Sequence, residues 1–211
     1  MYVVTADQVA SRTDADRVPQ TLRALSALRP PTTRGFERTA GDEIQGVSDK
    51  PEGVLDVVTS LVRDGHWRIG IGIGPVELPL PDSPRAGRGL AFVAAREAVG
   101  AAHPVPAQLA VRLRVDPGMP RAIREVRTRH TWLAEAALTL QVRLLRARTT
   151  EGWEVTDLLS EGLTQREVAQ RLSISPSAVS QRVRRAGWQE QQRGEELACH
   201  HLSLADGMID P

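Results

Sequence analysis

An α+β fold followed by an all-α segment is what this 211-residue sequence predicts. Three observations carry the prediction. Short β-prone apolar runs alternate with helical-period runs as far as about residue 115. From about residue 120 the apolar spacing is helical only, and Pro117 and Pro120 punctuate the change. Hydrophobic residues make up 41% of the chain, enough to bury a core, with no run of about 18 apolar residues that would span a membrane.

The elements follow in order. Residues 2–6, YVVTA, are apolar and β-prone, and Asp7 ends them. Residues 16–28 place Val18, Leu22, Leu25 and Leu28 at helical spacing, with Asp14 or Asp16 able to cap and "RPPTT" to stop the helix. Residues 35–40 and 44–48 flank Gly41-Asp42-Glu43 as a hairpin. Pro51 opens a helix through about Arg63 with Val54, Leu55, Val58 and Leu61 on one face. "WRIGIGIG" (67–74) is a strand with alternate glycines that allow close packing or backbone approach to a ligand. Residues 86–101 form a small-residue helix, and "QLAVRLRV" (108–115) is another strand. The order is β-α-β-β-α-β-α-β, whose first six elements are those of the split βαβ, ferredoxin-like unit. In that layout the first strand lies beside the hairpin, so Asp7 and Asp42 point at one spot. The two acids after Gly41 are either solvated turn residues or metal ligands.

Across residues 120–148, Ile123, Val126, His130, Leu133, Ala137, Leu140 and Leu144 recur at spacings of three and four, an a/d seam of about three heptads. It predicts a helix that either packs on its own domain or pairs with a second copy. Residues 106–150 carry nine basic and three acidic side chains, while the whole chain has a net charge of only +1. Basic surface is therefore local, which is the pattern nucleic-acid binding requires. An acidic tail, 194–211, follows. The single cysteine excludes an intramolecular disulfide, and the N-terminus lacks the basic region of a signal peptide, so the expected location is cytoplasmic. Cys199-His200-His201 offers ligand-type residues, but adjacent positions do not face one ion and no second half of a site is visible in the sequence.

Residues 163–186, LTQREVAQRLSISPSAVSQRVRRA, carry the densest set of signals. Thr164 with Glu167 makes a capping box. Ser173-Ile174-Ser175 is a turn with one apolar plug. Ser175 caps a second helix, with Pro176 in its first turn. Val168, Ala169, Leu172, Val179 and Val183 point inward, and Ser177, Ser180, Gln181, Arg184 and Arg182 point outward. The stretch resembles a helix-turn-helix of the sigma-region-4 and bacterial-regulator type. That resemblance implies double-stranded DNA as partner, with the second helix in the major groove. Gln181 suits an adenine edge and Arg184 a guanine. Thr164, Gln165, Ser175, Ser177, Ser180, Arg182 and Arg185 complete the expected contact set.

"VVTADQV", "FERTAGDEIQGV", "RIGIGIG" and "AFVAAREAV", in that order over about residues 1–102, resemble the class III nucleotide cyclase domain and, more closely, the SatD family. The resemblance implies a cyclase-like domain. Its first-strand and hairpin aspartates, Asp7 and Asp42, would hold Mg²⁺ or Mn²⁺ with a bound nucleotide, joined by Glu43 and Arg96. Phe92 stands where cyclases carry an asparagine, and Arg38 or Thr39 stands at the purine-selecting lysine. A degenerate, non-catalytic domain is therefore expected, with an active cyclase or triphosphatase as the alternative. The expected organisation is a nucleotide-sensing domain (1–116), a linker or dimerisation helix (117–150) and a helix-turn-helix domain with an acidic tail (151–211). Together these describe a homodimeric transcription regulator that responds to a nucleotide such as a cyclic second messenger.

Overall fold

The computed structural model of the protein describes residues 1–28 and 33–207. Its elements are β1 (Tyr2–Gln8), α1 (Val18–Ser26), β2 (Arg34–Arg38), β3 (Glu43–Ser48), α2 (Pro51–Asp64), β4 (Trp67–Ile73), a 3₁₀ turn (Pro84–Ala86), α3 (Leu90–Ala102), β5 (Leu109–Leu113), α4 (Arg121–Arg146), α5 (Thr150–Ser160), α6 (Gln165–Leu172), α7 (Pro176–Arg185) and α8 (Trp188–Asp206). The fold is α+β, with one mixed five-stranded sheet and a C-terminal helical region. Most of "RPPTT", expected to stop the first helix, lies outside the described residues.

The strands stand in the order β2-β3-β1-β4-β5. β1 is antiparallel to both neighbours, β3 and β4, and β5 is parallel to β4. Alternation along β1 sorts the two faces. Tyr2, Val4 and Ala6 join the large core, which includes Val18 and Leu25 of α1, Val54 and Val58 of α2, Leu138 and Val142 of α4, and Ala198 and Leu202 of α8. Val3 faces the other way, with Val47 of β3 and Ala91 and Ala95 of α3.

The alternate glycines of β4 are explained by α3. Ile69, Ile71 and Ile73 fill the large core, and Gly70 and Gly72 face α3. A Cβ at Gly70 would stand 2.2 Å from the Val99 amide nitrogen, and one at Gly72 would stand 2.2 Å from the Ala91 oxygen. The helix lies directly on strand backbone, met by its own row of alanines (Ala91, Ala95 and Ala98, all buried). Of the two expected uses of these glycines, the structure uses close packing. α3 also starts later than expected, at Leu90. The preceding Gly89 has φ 123°, a value that a helix does not admit.

Two features differ from the sequence expectation. The buried stripe of α4 is not the predicted seam. It is Thr131, Ala134, Ala137, Leu138, Gln141, Val142 and Leu145, centred a quarter-turn or so around the helix and sharing only Ala137 with the seam. The seam residues lie along its edge: Ala137 is buried, His130, Leu133 and Leu144 are half-buried, and Ile123, Val126 and Leu140 are exposed. Of the acidic tail, residues 194–206 are the larger part of a 19-residue helix, α8, and 208–211 lie outside the described residues. Ala198, Leu202 and Ala205 carry it into the same core as the sheet. The chain therefore leaves the sheet along α4, makes the three short helices α5–α7, and returns along α8.

Candidate nucleic-acid interface

α5, α6 and α7 enclose a small core of their own: Val155, Val168, Ala169, Val179 and Val183, edged by Leu158, Leu163, Leu172 and Ile174. The capping box is formed. Thr164 Oγ1 accepts from the Glu167 amide, and Glu167 Oε2 accepts from the Thr164 amide at 2.7 Å. Ser173 ends α6 in the left-handed region (φ 54°), and the Ile174 amide donates back to the Ala169 carbonyl at 3.0 Å. Ser175 then caps α7 by accepting from the Ala178 amide at 3.1 Å, ahead of Pro176. These caps orient α7 and at the same time occupy Thr164 and Ser175.

At 100° per residue, Val179 and Val183 set the inward direction of α7, and Ser177, Gln181 and Arg184 fall on the opposite side. All three are exposed, and their side chains make no hydrogen bond or ion pair with the described residues. Arg185 is exposed beside them, and Ser180 is half-buried at the edge of the stripe. Arg182 departs from the expected set. It turns to α5, where its Nη1 donates to Glu154 Oε2 at 3.3 Å. Sequence reasoning missed Arg166, exposed in the first turn of α6 beside Gln165. The signal was an arginine two residues inside a capped helix start.

What holds this unit to the sheet was also not legible. The Arg148 guanidinium is buried and donates to the Ala186 carbonyl (3.0 and 2.8 Å), to Gln191 Oε1 (2.7 Å) and to Thr156 Oγ1 (3.2 Å). It thereby fixes the point where α7 hands over to α8. Trp153 lies between two guanidinium groups, Arg148 and Arg63, each 4.6 Å from its ring. Arg63, from α2, also grips Asp157 of α5 with two bonds of 2.9 and 2.8 Å.

The acidic turn was expected to face Asp7, and it does. Asp7 lies opposite Glu43 on one side and Arg68 on the other. Burial, and then the Asp42 charge, push the Asp7 carboxyl above its ordinary range, against the pull of Arg68. However, Arg68 Nη1 donates to Asp7 Oδ2 at 2.8 Å, and Thr39 Oγ1 donates to Glu43. Gly41 takes the left-handed φ of 57° that the turn needs. Arg96 sits on the solvent side of α3 and is not among the charges acting on Asp7. Phe92 packs with Val76 and Leu80 against the sheet. Among the described residues no three His, Cys, Asp or Glu side chains are placed to hold a metal ion. As they stand, Asp7, Asp42 and Glu43 do not fit a divalent cation.

A family model described as winged helix-turn-helix DNA-binding matches residues 160–186. The match covers the end of α5, all of α6, the turn and all of α7. Among the described residues no strand follows β5, so the place of a β-wing after α7 is taken by α8. Comparison with curated proteins and with solved structures finds no match. No described helix is long and apolar enough to cross a membrane.

Proposed function

We propose that this DNA-binding protein is a transcription regulator that reads duplex DNA through Ser177, Gln181 and Arg184 of α7, working as a homodimer. The observation that carries the reading is the sorting of α7. One side is sealed into a capped three-helix unit, and the other offers an amide, a guanidinium and a hydroxyl with no partner among the described residues. Those are the groups that pair with adenine, guanine and phosphate edges. Arg166 and Arg185 flank the stripe and suit phosphates. One such helix reads only a few base pairs, and two copies read a half-site pair about one helical turn apart. The exposed edge of α4 supports the second copy: Ile123, Val126 and Leu140 are 51%, 55% and 69% exposed, and Leu197 of α8 beside them is 50% exposed. The test is selection of bound fragments from random duplexes, followed by titration of the selected site. Arg184→Ala and Gln181→Ala should each relax the preference at separate positions. Equal binding by the double variant would remove α7 from the interface.

For the sheet domain, the strand order β2-β3-β1-β4, with β1 antiparallel to both neighbours, supports the ferredoxin-like reading. Nucleotide sensing there is the second reading, favoured by the meeting of Asp7 with Asp42. It requires Arg68 to release Asp7, so no step is assigned to a metal. Calorimetry with ATP, GTP and cyclic nucleotides, each with Mn²⁺, tests it. No heat change, or binding unaltered by Asp42→Ala, removes the reading, and nucleotide turnover would favour the cyclase alternative.

A further inference from the structure

Sequence alone gave Cys199-His200-His201 no second half of a site. The structure supplies it from α4. His130 Nδ1 and His201 Nδ1 face one another at 3.0 Å, with ring centroids 5.1 Å apart and planes tilted by 35°. We propose that His130 and His201 form a two-imidazole binding site for a divalent transition-metal ion of the nickel, copper or zinc class. Two nitrogens at 2.0–2.1 Å from one ion, in cis positions, stand about 2.9 Å apart, and tetrahedral ones about 3.4 Å apart. The observed spacing therefore sits close to the cis value, and a turn of the two rings that aims both lone pairs at a point off the N–N line would admit an ion. Imidazole nitrogens suit these ions and not Mg²⁺ or Ca²⁺.

The surroundings agree. His130 lines an apolar cleft of about 390 Å³ with Ile123, Val126, Arg127 and Leu204, which leaves its side of the pair open to solvent. Arg127, which lines the same cleft, is held by donation from its Nε to the Ala205 carbonyl at 2.7 Å. No third ligand converges among the described residues. The site is therefore open rather than closed, which sets a modest affinity and leaves positions for exchangeable ligands. Its place gives it consequence. It joins α4 to α8, the two helices that carry the reading unit out from the sheet and back, so a bound ion stiffens that path.

The competing account of the 3.0 Å spacing is one proton shared between the rings. Tag-free full-length protein titrated with Ni²⁺, Cu²⁺ and Zn²⁺ separates the two. The expected result is one ion per chain, affinity weakened about tenfold or more in His130→Gln and in His201→Gln, and affinity kept in His200→Gln. The melting temperature of the wild type should rise with the ion, and that of His130→Gln should not. Copper electron paramagnetic resonance on the unsubstituted protein gives a readout independent of variant folding, since two equivalent nitrogens should couple to the metal. No ion bound, binding that His130→Gln leaves intact, or a nitrogen count other than two overturns the proposal.

Discussion

Asp56 sits on α2 facing α8, and every charge acting on it is negative. Burial first, then Glu195, then Glu52, push its carboxyl from 3.8 up to about 6. All three acids line one cleft of about 440 Å³ between the two helices, together with Glu196. Replacing Asp56 with Asn removes the unfavourable charge at nearly the same volume. A rise from 3.8 to about 6 corresponds to about 3 kcal/mol of disfavoured ionisation. Asp56 is only half-buried, so solvent screening reduces this to about 1 kcal/mol. For a chain of this length that is about 2–4 °C in melting temperature. The dependence on pH is distinctive. Below about pH 4 Asp56 is protonated in both the folded and the unfolded chain, and the substitution changes nothing. Between about 4 and 6 the unfolded chain releases its proton while the folded one keeps it, so wild-type stability falls as pH rises. Above 6 the loss is complete. Paired thermal melts of wild type and Asp56→Asn at pH 4 and pH 7.5 read this directly. An equal difference at both values, or a less stable variant at pH 7.5, would refute the reasoning.

Other substitutions test the remaining parts. Arg184→Ala should cost about 1–3 kcal/mol in specific DNA affinity and leave the melting temperature unchanged, since the side chain touches only solvent in the free protein; titration of a selected duplex by anisotropy, beside a thermal melt, checks both. Gly72→Ala should destabilise by about 1–3 kcal/mol or more, because its Cβ would meet helix backbone at 2.2 Å, where nothing flexible gives way; urea unfolding measures it. Arg148→Met should lower stability by about 2–4 kcal/mol and loosen α7, leaving the Ala186 carbonyl without its donor; hydrogen exchange at Arg182–Gly187 should rise. His201 binds a proton less readily folded than unfolded, so stability should decline as pH drops through about 6.5, and His201→Gln should flatten that slope.

The legible parts were those written by local chemistry. Gly41 needed a positive φ, Thr164 and Glu167 needed each other, and Gly70 and Gly72 needed something to approach the strand; each is a short-range rule with one solution. The heptad seam was read from Leu, Ile and Val spacing. The stripe that α4 buries contains Thr131, Ala134 and Gln141, and α8, packed along α4, buries Ala198 and Ala205 with Leu202 and Gln191. Two helices with alanine contact surfaces give little hydrophobic contrast to a sequence reading. Arg148 and Arg182 look alike as exposed basic residues, and only the tertiary arrangement puts one under Ala186 and the other on Glu154. The meeting of His130 and His201 spans 71 residues and has no sequence trace at all.

On α7, the side chains that face outward and those that anchor the helix share no members. Ser177, Gln181 and Arg184 are exposed, while Val179 and Val183 are buried and the Ala186 carbonyl accepts from Arg148. Exposed substitutions of this sort typically shift stability by no more than about 0.5 kcal/mol. On the proposed reading, target preference on this scaffold is free to drift: three codons would re-address the protein to a different promoter while the machine that carries them stays whole.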